Sequence, residues 1–266
     1  MATTATHQTP ATPHKIQRYG WIPDLPDARD RLYSAPMAVM AALPAKVDLR
    51  PQCPPVYDQG QLGSCTANAI GGAIQFDRMK QNLTPNFVPS RLFIYYNERV
   101  IEGTVSTDSG AQIRDGIKSV AKQGACPEPD WPYDIAKFAV RPPTADYREA
   151  LHDRAVTYSR LTQNTNLLKG CLASGYPFVF GFTVYESFES QAVAQSGVVP
   201  MPSPNEQVLG GHAVLAVGYD DSTQRFIVRN SWGTSWGMAG YFTMPYAYVT
   251  DPNLADDIWT IRLIST

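Results

Sequence analysis

A chain of 266 residues with 44% hydrophobic residues is long enough to bury a substantial core and can hold two subdomains. Its formal net charge of −2 offers no basic surface for nucleic acid or anionic lipid, so we expect no nucleic-acid partner and no membrane partner. No apolar run is long enough to cross a bilayer. The N-terminus shows no standard secretory signal, which favours a cytoplasmic location or export by a non-classical route.

Three regions follow one another along the chain. Residues 1–42 form an N-terminal extension, of which about the first 16 are rich in Thr, Pro and Ala and are expected to be disordered. A helical half is predicted for about 43–145, with helices at 64–80, 90–102 and 110–122. A strand-rich half is predicted for about 146–266, with one short helix at 166–172 and strands at 155–162, 177–185, 212–219, 225–230, 239–244 and 258–264.

A cysteine occupies the first turn of the first predicted helix. Cys65 follows a Gly-Ser pair, and the unpaired N–H groups and the positive dipole end of a helix start stabilise a thiolate. We therefore expect a lowered pKa at Cys65, whose thiolate is the nucleophilic form. Gln59, six residues earlier, can direct its amide to the helix start and form an oxyanion hole with the Cys65 N–H. Taken alone, a cysteine at a helix start is more often structural, so the assignment depends on its partners.

Both partners of a cysteine nucleophile are present downstream. His212 is the one histidine of four that precedes a strongly apolar strand pattern, and Asn230 ends another apolar strand. The order Cys, His, Asn provides a nucleophile, a proton-transferring base and an amide that orients the base. Trp232, two residues after Asn230, can shield the bond between the histidine and the asparagine from water.

These motifs, in this order, resemble those of the papain-like cysteine proteases: Gln59, Gly63-Ser64-Cys65, Gly211-His212-Ala213 and Asn230-Ser231-Trp232-Gly233. The variant Gly-Ser-Cys-Thr-Ala-Asn-Ala at 63–69 and the Trp-Pro-Tyr at 131–133 resemble the bacterial branch of that family. The resemblance covers about residues 43–266. It implies an α+β, papain-like two-subdomain fold, in which a helical half with a central helix starting at Cys65 faces an antiparallel, β-barrel-like half across a cleft.

The resemblance also implies the chemistry. Cys65 is expected to form an acyl-enzyme with a polypeptide substrate, with His212 as acid and base, Asn230 orienting it and Gln59 in the oxyanion hole. The expected activity is that of a cysteine-type endopeptidase. We expect it to be a monomer without cofactor or metal.

The substrate is expected to lie extended in the cleft. Ser109 and Gly110 are candidates for one wall, where Gly110 would offer backbone hydrogen bonds; the alternative for both residues is a simple helix cap. Gly211 would leave the opposite wall open, and Trp232 completes the predicted substrate-binding set. We expect a preference for an apolar residue one step before the scissile position's own residue.

The N-terminal extension has two interpretations. It is too short and too rich in proline to be the long helical propeptide that family members carry. Residues from about 19 to 40 can pack across or beside the cleft, as an occupant that limits access. Alternatively, they cover a hydrophobic surface elsewhere and only stabilise the enzyme.

With Cys65 reserved as nucleophile, the other cysteines can form at most one disulfide. Three pairings among Cys53, Cys126 and Cys171 are open, and Cys53 with Cys126 is preferred because both lie in Pro-flanked loops. No cysteine has metal-ligand spacing.

Two other functions use the same features. A transglutaminase-like acyltransferase also forms a Cys–His acyl-enzyme, but passes the acyl group to an amine. A catalytically silent, peptide-binding relative would keep the fold and the cleft.

Overall fold

The computed structural model describes residues 19–265. The disorder predicted for about the first 16 residues lies outside this part of the chain. The helices α1 to α8 span Met37–Ala41, Cys65–Lys80, Arg91–Glu102, Ile113–Gln123, Thr144–Ala150, Thr165–Ala173, Gln191–Ser196 and Tyr246–Thr250. The strands β1 to β7 span Lys46–Asp48, Ala155–Arg160, Phe178–Tyr185, Val208–Asp220, Arg225–Arg229, Tyr241–Pro245 and Ala255–Ile264.

All seven strands belong to one antiparallel sheet. Its order is β2-β7-β3-β4-β5-β6, and the short strand β1 pairs with residues 218–220 at the end of β4. Strand β4 is longer than predicted because residues 208–211 continue to pair with the end of β3. A helical first half and an antiparallel sheet confirm the predicted α+β class. The boundary near residue 145 stays a prediction.

The central helix α2 is buried along most of its length, from Cys65 to Arg78. Gly71 and Gly72 lie on this helix, and a Cβ at Gly72 would come within 3.5 Å of the Leu215 side chain on β4. A helix that is enclosed in this way lies between other layers, here between the helical half and the sheet. It begins at Cys65, as predicted, and so places this residue where the two halves meet.

Helix α3 has strong end signals, whereas α4 begins later than predicted. The Ser90 side chain caps α3 by accepting a hydrogen bond from the Phe93 N–H, and Gly103 ends that helix in the left-handed conformation. Helix α4 was predicted from residue 110 but begins at Ile113. The reason is that Ala111 pairs with the N-terminal extension, and the Gly110 N–H donates to the Tyr95 hydroxyl, instead of forming a first helical turn.

The described cysteines are all free thiols, so the preferred pairing of Cys53 with Cys126 is wrong. Cys126 and Cys171 are fully buried in the core. Cys53 instead donates to the Leu49 carbonyl oxygen at 3.4 Å. The three cysteines therefore have separate surroundings and form no disulfide with one another.

The N-terminal extension follows the surface of both halves. Its first described residues, 19–22, lie between the start of α4 and β4, and we call them the cleft segment. Further along, the Tyr33 N–H donates to the Arg160 carbonyl oxygen at 2.8 Å, at the end of β2. Helix α1 then packs on α6, where a Cβ at Gly170 would lie 2.5 Å from the Met40 sulfur. Residues 19–22 thus lie in the cleft, whereas later residues of the extension lie on surfaces outside it.

Candidate active site

Cys65 lies at the N-terminus of α2 and is completely buried. The backbone N–H groups of Ala213, Gly20 and Thr66 point at its sulfur and favour the thiolate. Burial nevertheless dominates and raises the pKa of the Cys65 thiol to about 12. The expected lowering of this pKa is therefore wrong for the form described here, in which the N-terminal extension covers the sulfur.

His212 and Asn230 are brought together as the sequence predicted. His212 Nε2 lies 2.8 Å from Asn230 Oδ1. The Ser231 N–H donates to the same oxygen at 2.8 Å, which identifies this atom as the acceptor of the amide. His212 Nε2 must then carry the proton, and Nδ1 carries the lone pair that can take a proton from a thiol. Ala213, the residue after His212, already contacts the sulfur.

Aromatic rings enclose the histidine. Trp232, which is 1% exposed, stacks on the His212 ring with centroids 5.1 Å apart and an interplanar angle of 27°. The Tyr19 ring meets His212 edge-on at 6.0 Å. Trp232 therefore shields the imidazole from water, as predicted, while Tyr19 of the cleft segment covers it from the other side.

Gln59 is held beside the loop that leads into α2. Its backbone N–H donates to the Ser231 carbonyl oxygen at 2.9 Å, and its Oε1 accepts from Ser231 Oγ at 2.5 Å. One of the two N–H bonds of its amide donates to the Leu62 carbonyl oxygen at 2.9 Å. With the oxygen fixed in this way, the amide nitrogen faces the stretch before Cys65, where an oxyanion donor is needed.

The cleft segment pairs with both walls of the cleft. The Trp21 N–H donates to the Gly211 carbonyl oxygen at 2.8 Å. On the other wall, the Ala111 N–H donates to the Gly20 carbonyl oxygen at 2.7 Å, and the Ile22 N–H donates to the Ala111 carbonyl oxygen at 3.0 Å. The segment is thus an added strand, parallel to the chain at Ala111, that fills the cleft beside Cys65.

Gly20 passes so close to the walls that no other residue fits. A Cβ at Gly20 would lie 1.8 Å from the Gly63 carbonyl oxygen, two residues before Cys65. On the opposite side, a Cβ at Gly110 would lie 2.2 Å from the Gly20 carbonyl oxygen. Both contacts are with backbone atoms, which cannot rotate away, so each glycine is needed for the close approach.

The peptide in front of the sulfur is not placed for attack. Gly20 presents its N–H to Cys65, while its carbonyl oxygen is bound by the Ala111 N–H on the cleft wall. A thiolate attacks a carbonyl carbon whose oxygen points into the oxyanion hole. The cleft segment therefore covers the Cys65 sulfur without offering it a scissile bond.

The predicted wall residues occupy different positions relative to the cleft segment. Gly211 and Gly110 contact it, as described above. The Ser109 hydroxyl instead lies 2.9 Å from Thr104 Oγ1 and 3.1 Å from the Gly110 carbonyl oxygen, so its hydrogen bonds stay within its own loop. Sequence reasoning missed Ala111, which makes the wall hydrogen bonds with its backbone and carries no side-chain signal.

Beyond the cleft, carboxylates and arginines fix the extension to the enzyme. Asp24 accepts from the Arg114 N–H at 3.0 Å and from Trp259 Nε1 at 3.0 Å. The Arg114 guanidinium forms an ion pair with Asp30 at 2.6 Å. Both carboxylates of the extension are nearly buried, and their partners belong to α4 and β7. This part of the interface is polar and charge-paired, which sequence periodicity cannot predict.

Within residues 19–265, no helix has the length and apolar character needed to cross a membrane. The same residues contain no group of three or more His, Cys, Asp or Glu side chains that could hold a metal ion.

Comparison with known proteins agrees with this fold. The model of the papain family cysteine proteases matches residues 43–258, so the chain belongs to that family. It is a cysteine-type peptidase by family.

Two relatives match over nearly the whole chain. Xylellain, a cysteine protease from Xylella fastidiosa, has a crystal structure that superposes with a TM-score of 0.86, at 50% identity over 92% of this chain and 95% of that one. An uncharacterized peptidase C1-like protein of Acanthamoeba polyphaga mimivirus is 46% identical over 94% of this chain and 88% of its own length. A digestive procathepsin L of Tenebrio molitor, at 20% identity and a TM-score of 0.65, shares the fold.

Proposed function

We propose that Cys65, His212, Asn230 and Gln59 carry out peptide-bond hydrolysis in this chain and that the cleft segment holds the enzyme closed. The observation that carries the proposal is that the peptide facing the sulfur of Cys65 presents an N–H and not a carbonyl carbon. The four side chains form a catalytic centre, and the cleft segment covers it. The 50% identity to xylellain supports placing the chain in the same branch as that bacterial enzyme.

Once a substrate replaces the cleft segment, the chemistry follows from the four side chains. The Cys65 thiol gives its proton to His212 Nδ1, and the sulfur attacks the scissile carbonyl carbon. The Cys65 N–H and the Gln59 amide stabilise the oxyanion. His212 then protonates the leaving amine, which breaks the C–N bond and leaves a thioester on Cys65. A water molecule, deprotonated by His212, hydrolyses the thioester and restores the thiol.

Hydrolysis of a fluorogenic peptidyl amide by the full chain tests the catalytic assignment. We expect turnover that is lost in Cys65→Ala and blocked by a thiol-alkylating epoxide. Lys122→Ala, in a solvent-facing position of α4, is the control and should keep the wild-type rate. Incorporation of an added amine without hydrolysis would instead assign an acyltransferase, and peptide binding without turnover would assign a silent relative.

A further inference from the structure

The Trp-Pro-Tyr motif at 131–133 lies against the loop that leads into α2. The Tyr133 hydroxyl donates to the Gln59 carbonyl oxygen at 2.9 Å and lies 2.5 Å from Ser64 Oγ. Gln59 carries the proposed oxyanion amide, and Ser64 directly precedes Cys65. One phenol oxygen therefore joins the two ends of this loop.

The protons of this contact point in one direction, because the chemistry of both end groups is fixed. A guanidinium can only donate, and Arg91 Nη1 donates to Asn68 Oδ1 at 3.1 Å. Asn68 Nδ2 is then the donor to Ser64 Oγ at 3.0 Å. A carbonyl oxygen can only accept, so Tyr133 gives its proton to Gln59 and Ser64 gives its proton to Tyr133. We call this series, from Arg91 to Gln59, the hydrogen-bond chain.

The hydrogen-bond chain also holds the peptide that carries the Cys65 N–H. That N–H and the Ser64 carbonyl oxygen belong to one planar peptide unit, so fixing the oxygen fixes the N–H. The Ser64 carbonyl oxygen accepts from the Asn68 side chain at 2.9 Å and from the Asn68 backbone N–H at 3.0 Å. Both proposed oxyanion donors, the Cys65 N–H and the Gln59 amide, therefore belong to residues that the chain holds.

Tyr133 is itself held firmly. Ser90 Oγ donates to the Trp131 carbonyl oxygen at 2.6 Å, which fixes the motif to the start of α3. The Arg91 guanidinium lies 4.1 Å from the centroid of the Tyr133 ring and forms an ion pair with Glu128 at 2.7 Å. Burial raises the pKa of Tyr133 to about 12, so its hydroxyl keeps its proton at neutral pH. The phenol is therefore a fixed donor to the loop.

We propose that Tyr133 is a positioning residue for peptide hydrolysis, because its hydroxyl holds Gln59 and Ser64 so that both oxyanion donors stay directed at one point. This inference rests on the proposed function. Oxyanion donors are effective only when they are in place before charge develops, so a small displacement slows the chemical step and leaves substrate binding nearly unchanged. Removal of one donor costs about 10²–10³ in kcat, and displacement should cost less.

Tyr133→Phe tests the hydroxyl, because it keeps the ring over Arg91. With the full chain and a fluorogenic peptidyl amide, we expect kcat to fall by about tenfold or more and KM to change by less than about twofold. Tyr147→Phe is the matched control, since it removes a hydroxyl that donates to Asn97 Oδ1 at 2.9 Å between α5 and α3, and it should keep the wild-type kcat. An unchanged kcat in Tyr133→Phe would overturn the proposal.

Alkylation separates a positioning role from a general loss of structure. When iodoacetamide reacts with the Cys65 thiolate, an S–C bond forms, the C–I bond breaks and iodide leaves, so no oxyanion develops. Tyr133→Phe should therefore keep the wild-type rate of alkylation while kcat falls. A similar change in both rates would mean that the variant disturbs Cys65 itself, which would contradict the proposal.

Ser64→Ala interrupts the hydrogen-bond chain at the neighbouring link. It should also lower kcat with little change in KM. Because Ser64 and Tyr133 act through one chain, the loss in the double variant with Tyr133→Phe should be smaller, by about threefold or more, than the product of the two single losses. A loss equal to that product would show independent effects and would count against the chain.

Binding of a peptidyl aldehyde separates failure of this inference from failure of the peptidase assignment. The Cys65 sulfur bonds to the aldehyde carbon, the carbonyl π bond breaks and the thiol proton passes through His212 to the oxygen, so the oxygen meets the oxyanion donors without any leaving group. Calorimetry on the full chain should show about tenfold or more weaker aldehyde binding in Tyr133→Phe, and equal binding of the matching peptidyl alcohol. This loss in a chain that hydrolyses no peptide would support the positioning role and reject the peptidase, whereas hydrolysis with equal aldehyde affinities would do the reverse.

Discussion

Replacing Gly20 with alanine should open the cleft. The added Cβ would lie 1.8 Å from the Gly63 carbonyl oxygen, far inside the C···O contact distance of about 3.3 Å, so the cleft segment must move. The movement breaks the hydrogen bonds on both sides of Gly20, from Ala111 at 2.7 Å and to Gly211 at 2.8 Å. At about 1 kcal/mol each, their loss shifts the equilibrium between closed and open forms by about 30-fold.

The assay for this change is kcat/KM of the full chain on a fluorogenic peptidyl amide. We expect a rise of roughly 30-fold, limited only by the fraction of wild type that is already open. Leu25→Ala is the matched control, because this side chain of the extension is 71% exposed and should have no effect. Trp21→Ala removes the ring of the cleft segment that lies against Gly181 and Gly211, and it should change kcat/KM in the same direction. A folded Gly20→Ala protein with wild-type kcat/KM would refute an access-limiting role for the segment.

Three further predictions concern the anchor, the histidine and a buried acid. Arg114→Met removes the ion pair with Asp30 at 2.6 Å and should raise kcat/KM severalfold, together with faster proteolysis of the extension; an unchanged rate would mean that this anchor does not limit opening. Asn230→Ala removes the 2.8 Å bond to His212 Nε2 and should lower kcat roughly tenfold or more with little change in KM, as steady-state kinetics can measure. Asp77 is 1% exposed, its oxygens have no hydrogen-bond partner among the described residues, and burial raises its pKa to about 8. Because the folded protein then binds the proton more tightly than the unfolded chain does, the free energy of unfolding should fall as pH rises from about 4 to about 8. Urea unfolding at pH 5 and pH 8 should show this fall in the wild type and a smaller one in Asp77→Asn.

Sequence reasoning could single out the proposed catalytic residues because their signals are local. Cys65 has a helix start, His212 has an apolar strand and Asn230 has a neighbouring tryptophan, and each can be recognised within about ten residues. The fold class followed from the same periodicities. The boundaries of β4 and α4 were less accurate, since both depend on pairing with other segments.

The closed state could not be predicted in this way. The pairing of Trp21 with Ala111 joins residues 90 positions apart and uses only backbone atoms, so no side-chain pattern marks it. The pKa of Cys65 was wrongly expected to be low because the helix start was considered without the segment that buries it. Asp257, which accepts a hydrogen bond from Trp21 Nε1, lies in a strand with no motif around it. The pKa of Cys65 and the role of Ala111 can be interpreted only when the position of the cleft segment is known.

The rate of alkylation of Cys65 by iodoacetamide in the wild-type full chain tests most directly whether the cleft segment closes the site. Burial raises the pKa of this thiol to about 12 in the closed form, so at pH 8 the thiol stays protonated and covered. Mass spectrometry should show labelling at Cys65 at least tenfold slower than in Gly20→Ala. Labelling of the wild type as fast as the variant, and as fast as an exposed cysteine, would contradict the closed site.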